Sequence, residues 1–126
     1  MRILVTGSRD WTDREAIEEG ITGYWWDAGC SRDVTVIHGH CPRGADRIAD
    51  EVCTGATVLG EPVIVERHPA EWDTHGKAAG FIRNQQMVDL GADVCLAFIK
   101  GGSKGATDCA NRAESAGIPT VRIVRD

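Results

Sequence analysis

Apolar residues along the chain fall into short continuous runs, separated by stretches in which they recur at helical spacing. Arg2–Thr6 is one such run, closing on Gly7, and Asp33–His38, Pro62–Glu66, Asp93–Ile99 and Pro119–Val124 repeat the form. Runs of this length bounded by Gly and Pro predict buried strands. In the first intervening stretch Ile17, Ile21, Tyr24, Trp25 and Ala28 share one helical face, and Thr12 with Glu15 predicts a capping box at its start. Ala45–Leu59 is the second predicted helix, with Ile48, Ala49, Val52, Cys53 and Ala56 inward. The third spans Ala79–Leu90. The fourth runs from Gly105 to Ala116, ends at Gly117, and turns only small residues inward: Ala106, Cys109, Ala110 and Ala113. That stripe predicts close packing on a sheet.

Strands therefore alternate with helices from end to end. Continuous apolar strands joined by helices imply a parallel sheet covered on both faces. Right-handed crossovers leave few topologies, and the expectation is an α/β fold: a Rossmann-like three-layer α/β/α sandwich on a five-stranded parallel sheet of order 3-2-1-4-5. Residues 1–126 make one domain. In this order strands 1 and 4 are neighbours, so the loops that follow them meet in the crevice where such sheets bind ligands.

Composition narrows the partners. A net charge of −5 argues against DNA or RNA polymers, whose binders carry a basic stripe. The five cysteines (Cys30, Cys41, Cys53, Cys95, Cys109) are odd in number and lack a Cys-x-x-Cys pair, which fits a reducing, cytoplasmic location. The apolar part of the N-terminus is too short for a signal peptide, and no run reaches membrane-spanning length. No membrane partner is expected.

The chemistry centres on Val94–Asp108, where the fourth strand runs into Gly101, Gly102, Ser103, Lys104, Gly105, Ala106 and Thr107 and then a helix. Glycines let backbone N–H groups approach a ligand, and the helix aims its positive end at the same place, so this is a candidate phosphate site. The spacing is neither the dinucleotide fingerprint nor the Walker pattern. Opposite it, Gly7, Ser8 and Arg9 follow the first strand, where a donor and a guanidinium can meet an anion; Arg9 has the alternative of pairing with Asp10 or Asp13. After the second strand come His38, Gly39, His40, Cys41, Arg43, Gly44 and Asp46. No second cluster completes a zinc set with His38, His40 and Cys41, so no metal is expected. Arg43 and Gly44 suit the ligand rim. Asp46 either caps the following helix or accepts from ribose hydroxyls. Arg83 and Asn84 stand out in an otherwise apolar part of the third helix, where an isolated Arg is more often a surface residue than a ligand contact. Trp11 and Trp72 lie in loops at the same edge, where each either stacks a base or lids the core. Trp72 belongs to Arg67–Gly80, a long stretch without clear periodicity, and loops of that length are usually functional. Trp26 lies off the inner face of the first helix, and is either partly buried against a loop or an oligomer contact.

Several of these stretches, in order, resemble the YspA-like members of the SLOG superfamily, relatives of the LOG (Lonely guy) phosphoribohydrolases and of DprA/SMF-type Rossmann domains. They are Val5-Thr-Gly-Ser-Arg-Asp10, Gly44-Ala-Asp46, His68-Pro-Ala-Glu-Trp72, His75-Gly-Lys-Ala-Ala-Gly-Phe-Ile-Arg-Asn84 and the Gly101–Asp108 loop. The resemblance covers nearly the whole chain and implies a Rossmann-like domain that binds nucleotides or nucleotide-derived ligands, with a possible homodimer. The LOG enzymes pair an Arg-Lys-x-x-Met helix with a Pro-Gly-Gly-x-Gly-Thr-x-x-Glu loop. Arg83 and Met87 are similar to the first, with Asn84 in place of Lys. Gly101, Gly102 and Gly105 are similar to the second, but Lys100 replaces Pro, one residue is inserted before Gly105, Ala106 replaces Thr, and the nearest acid is Asp108.

Two readings follow. The favoured one is a domain that binds a nucleotide or nucleotide-derived small molecule between the loops after strands 1 and 4, with no further cofactor required. Its rival is a LOG-like phosphoribohydrolase that cleaves the N-glycosidic bond of a nucleoside 5′-monophosphate. There Asp108 would serve as the acid and Arg83 would fix the phosphate or orient that acid, with Glu114 a more distant choice.

Overall fold

A computed structural model describes all residues, Met1–Asp126. The strands are β1 (Arg2–Gly7), β2 (Thr35–His38), β3 (Thr57–Val58), β4 (Glu61–Pro62), β5 (Ile64–Arg67), β6 (Val94–Lys100) and β7 (Thr120–Arg125). The helices are α1 (Arg14–Asp27), α2 (Ala45–Cys53), α3 (Trp72–His75), α4 (Ala79–Asp89) and α5 (Lys104–Ser115), with a 3₁₀ turn at Gly76–Ala78. The main sheet is parallel throughout, in the order β5-β2-β1-β6-β7. This is the expected Rossmann-like order, with β1 and β6 side by side at its centre.

Period-two alternation in these strands feeds two cores. Ile3 and Val5 of β1 pack with Val36, Val94, Leu96 and Phe98 beneath α1 and α2. Leu4, on the opposite face, joins Ile37, Cys95, Met87 and Cys109 beneath α4 and α5. Cys53, Cys95 and Cys109 are buried as small apolar side chains. The small stripe of α5 is buried as its sequence predicts.

Several expectations are corrected. The α1 cap is Asp13, one residue beyond Thr12: its Oδ1 accepts the Ala16 N–H at 3.1 Å, so no capping box forms. The second helix stops at Cys53 rather than Leu59, because Thr54 turns to extended backbone and Gly55 takes φ +79°. Residues 57–62 instead form an antiparallel hairpin, β3–β4, turning on Leu59 and Gly60, both at positive φ as a tight two-residue turn requires. The stretch Arg67–Gly80 is not all loop, since α3 and the 3₁₀ turn lie within it. Trp11 is core: it is 2% exposed and meets Phe98 edge-on with ring centroids 5.4 Å apart. Trp26 is 69% exposed, so it is not buried against a loop. No helix is long and apolar enough to cross a membrane.

Candidate functional site

Beyond the C-terminal ends of β1, β2 and β6 lies a cleft of about 430 Å³, within the range of small-molecule sites. Its first wall is the turn after β1. A β-carbon at Gly7 would overlap Ala45 and meet the Phe98 carbonyl, so only glycine lets the start of α2 close on the sheet there. The Ser8 carbonyl accepts the Ala45 N–H at 3.1 Å and completes that junction. Gly44, at φ +78°, lies against the Ser8 and Arg9 backbone with no room for a side chain.

The second wall is the face of α4 carrying Gly80, Arg83, Asn84 and Met87. Arg83 is 9% exposed. Its Nη1 donates to the carbonyls of Gly39 and of His68 (the latter at 3.3 Å), and its Nε donates to Asn84 Oδ1 at 3.0 Å. Nη2 has no partner within the chain. No fully buried side-chain nitrogen or oxygen lacks a partner, so Nη2 opens to the cleft. Asn84 Nδ2 donates to the Gly105 carbonyl at 3.2 Å and to Asp108 at 3.1 Å, tying α4 to the start of α5.

Asp46 faces Arg83 from the first turn of α2 and is 5% exposed. One oxygen accepts the Cys41 N–H at 3.3 Å, the Cys41 thiol adds a side-chain hydrogen bond to the carboxylate, and the carboxylate borders the cleft. Burial pushes its carboxyl above the ordinary carboxylate range, outweighing the opposing pull of His38 and Arg83. Burial likewise raises the Cys41 thiol, with Asp46 adding to the effect.

Charge and aromatic surface complete the site. Arg9, Arg43, Lys77 and Arg83 line it against two acids, Asp10 and Asp46, so it is cationic in a chain of net charge −5. The starts of α2 and α5 both open here and neither carries a side-chain cap, whereas α1, which starts elsewhere, is capped by Asp13. In α2 the Ala45 N–H is taken by the Ser8 carbonyl, and the other first-turn N–H groups of α2 and α5 are the ones suited to an anion. Trp72 and Phe81 stand half exposed at the mouth, and the Arg9 guanidinium lies 5.8 Å from the Trp72 ring centre.

Of the residues singled out in the sequence, the fold brings Gly7, Arg9, Gly39, Arg43, Asp46, Trp72, Arg83, Asn84, Ser103, Gly105 and Ala106 to this cleft. The remainder lie off its surface. Ser8 is fully buried, and its hydroxyl is tied to the Lys100 backbone at 2.7 and 3.2 Å. His38 is buried behind the floor: its Nδ1 accepts the His40 N–H at 2.9 Å and its Nε2 lies 2.7 Å from Asp50. Gly44 shapes the α2 turn, while Gly101, Gly102, Lys104 and Thr107 do not line the cleft. Asp108 is held between helices, accepting from Asn84 and, at 2.8 Å, from Arg112. Glu114 pairs at 2.6 Å with Arg122 at the far end of α5. Sequence reasoning missed Thr6, Asp10, Cys41, Lys77, Gly80, Phe81 and Met87 as lining residues. Gly80 and Met87 lie three before and four after Arg83, so helical spacing puts them on its face, and both belong to stretches that carried the resemblance.

A parallel sheet flanked by helices, with a cationic, part-aromatic cleft at its central crossover, defines a Rossmann-like α/β domain. The model of the YspA, cpYpsA-related SLOG family matches residues 1–75, and the chain belongs to that family. It is also similar to the Gene 61 protein of Mycobacterium phage D29, 44% identical over 128 residues that cover 97% of this chain and 95% of that one. No solved structure matches.

Proposed function

We propose that the cleft binds a nucleotide or a nucleotide-derived small molecule, as a sensor or metabolic binding module. The observation that carries this reading is the convergence of four cationic side chains and two uncapped helix starts on a cleft with an aromatic mouth. Phosphate suits the cations and free N–H groups, and a base suits the Trp72 face. The volume, about 430 Å³, suits one mononucleotide rather than a polymer. Membership of the SLOG family supports the same class of ligand. Binding is preferred to N-glycoside hydrolysis because Asp108, the acid that the LOG pattern would supply, is paired between α4 and α5 and off the cleft surface.

Isothermal titration with nucleoside 5′-mono- and diphosphates tests this. Saturable binding that falls about tenfold in an Arg9→Ala, Lys77→Ala double variant is expected, since both side chains are exposed and charge interactions at exposed positions are worth roughly 0.5–1 kcal/mol each. Absence of binding by every nucleotide sinks the reading.

A further inference from the structure

Asp46 and Arg83 present carboxylate acceptor capacity and one free donor, Nη2, to the cleft, and both side chains are nine-tenths or more buried. Each is also hydrogen-bonded to the chain, so both groups are held in place rather than mobile. A carboxylate and an open guanidinium nitrogen lining the same cleft match groups that both donate and accept.

Where this pair sits along the cleft decides which part of a nucleotide it meets. A β-carbon on Gly80 would lie 3.4 Å from the edge of the Trp72 ring and 3.9 Å from Arg83 Nη2. Arg83 is therefore next to the aromatic mouth on one side. On the other side its neighbour Asn84 is bonded to Gly105, in the first turn of α5. Along α4 the sequence of surfaces is aromatic ring, guanidinium, helix start. In a nucleotide the sugar is what lies between base and phosphate.

Resting on the nucleotide-binding reading above, we propose that Asp46 and Arg83 recognise the ribose cis-diol, so that the cleft takes ribonucleotides and rejects nucleotides without the 2′ and 3′ hydroxyls. Asp46 accepts from the diol and Arg83 donates to it. Asp46 can serve in this way because the first turn of α2 already stabilises its charge and hydroxyl donors offset part of its desolvation. A dideoxy sugar leaves both buried groups without partners, and it is this loss that discriminates against it.

The test is binding of adenosine, guanosine, cytidine and uridine 5′-monophosphates against their 2′,3′-dideoxy counterparts, by titration calorimetry on the full chain. The ribonucleotide that binds best is expected to exceed its dideoxy counterpart by about tenfold or more. In Asp46→Asn, which keeps the shape and removes the charge, that ratio is expected to fall to roughly two- to threefold, because neutral hydrogen bonds are about half as strong. Equal binding of ribo and dideoxy forms to the wild-type chain overturns the proposal while leaving nucleotide binding intact; so does an undiminished ratio in Asp46→Asn. If no nucleotide binds, both readings fall together. Should Asp46→Asn fail to fold, the wild-type comparison decides alone.

Discussion

Arg83 and Gly39 are in such close contact that the guanidinium of one occupies the space a β-carbon would need on the other. Through this contact a helix on one face of the sheet holds the end of β2. Gly39→Ala is expected to push Arg83 out of place and cost about 1–3 kcal/mol, the usual range for overpacking a buried site. Nucleotide binding is expected to weaken at the same time. Thermal denaturation with titration calorimetry checks both, and a variant with wild-type stability and affinity would show that Arg83 has another equally good position.

Asp108 offers the sharpest contrast with the LOG pattern. It accepts from Asn84 and Arg112, and Arg112 Nη1 donates to Gln85 at 2.9 Å, so the carboxylate links α4 to α5. Asp108→Asn is expected to lower stability by about 0.5–1.5 kcal/mol through weakened hydrogen bonds, and to leave nucleotide affinity within about twofold. A large loss of binding with unchanged stability would move Asp108 into the site.

Trp11 and Trp72 separate by burial. Trp11 fills core against Phe98 and its Nε1–H donates to the Asp13 carbonyl at 2.8 Å, so Trp11→Ala is expected to cost about 3–5 kcal/mol. Trp72 is half exposed, and Trp72→Ala is expected to change stability by less than about 0.5 kcal/mol. Its loss should weaken nucleotide binding by roughly 1–3 kcal/mol if the ring stacks the base. Denaturation curves and titrations of the two variants should show opposite patterns.

His38 gives the fold a dependence on pH. Burial lowers its imidazole below the ordinary 6.5, against the opposing pull of Asp46 and Asp50. Nδ1 accepts from the His40 N–H, so the neutral ring donates from Nε2 to Asp50. The unfolded chain then takes up the proton first, so this contribution is present above pH 6.5 and is lost as pH falls below it. Asp50, held well below the carboxylate range chiefly by Arg67, loses its contribution only in more acidic solution, below its ordinary 3.8. Chemical denaturation between pH 7 and about 5.5 should show falling stability in the wild type and a flatter profile in His38→Gln. Equal slopes would contradict this role.

The sheet was legible because strands buried on both faces read as unbroken apolar runs, and β1 and β6 are such runs. The small stripe of α5 was legible for the same reason. The hairpin at residues 57–62 was not, because Leu59 continues the helical spacing of α2 and only the backbone break at Thr54–Gly55 ends it. In the cleft, Ser8 and Arg9 are adjacent, and which one faces the ligand depends on how the turn meets β6. Ser8 turns inward to the Lys100 backbone, and Arg9 is left at the mouth. The position of Asp108 depends on α4 lying beside α5, which no local pattern states. Asp46 was read as a cap or a sugar ligand, but its burial opposite Arg83 comes from pairing elements far apart in sequence.

Backbone amide NMR shifts during titration with nucleoside 5′-monophosphates test the nucleotide-binding cleft most directly. Saturable shifts are expected at Arg9, Asp46, Gly80, Gly105 and Ala106, which line it. Val52, Val58 and Leu59, in the apolar groove beside the hairpin, are expected to stay unmoved. Shifts confined to that groove, or no shifts at all at millimolar nucleotide, would contradict a nucleotide site in the cleft.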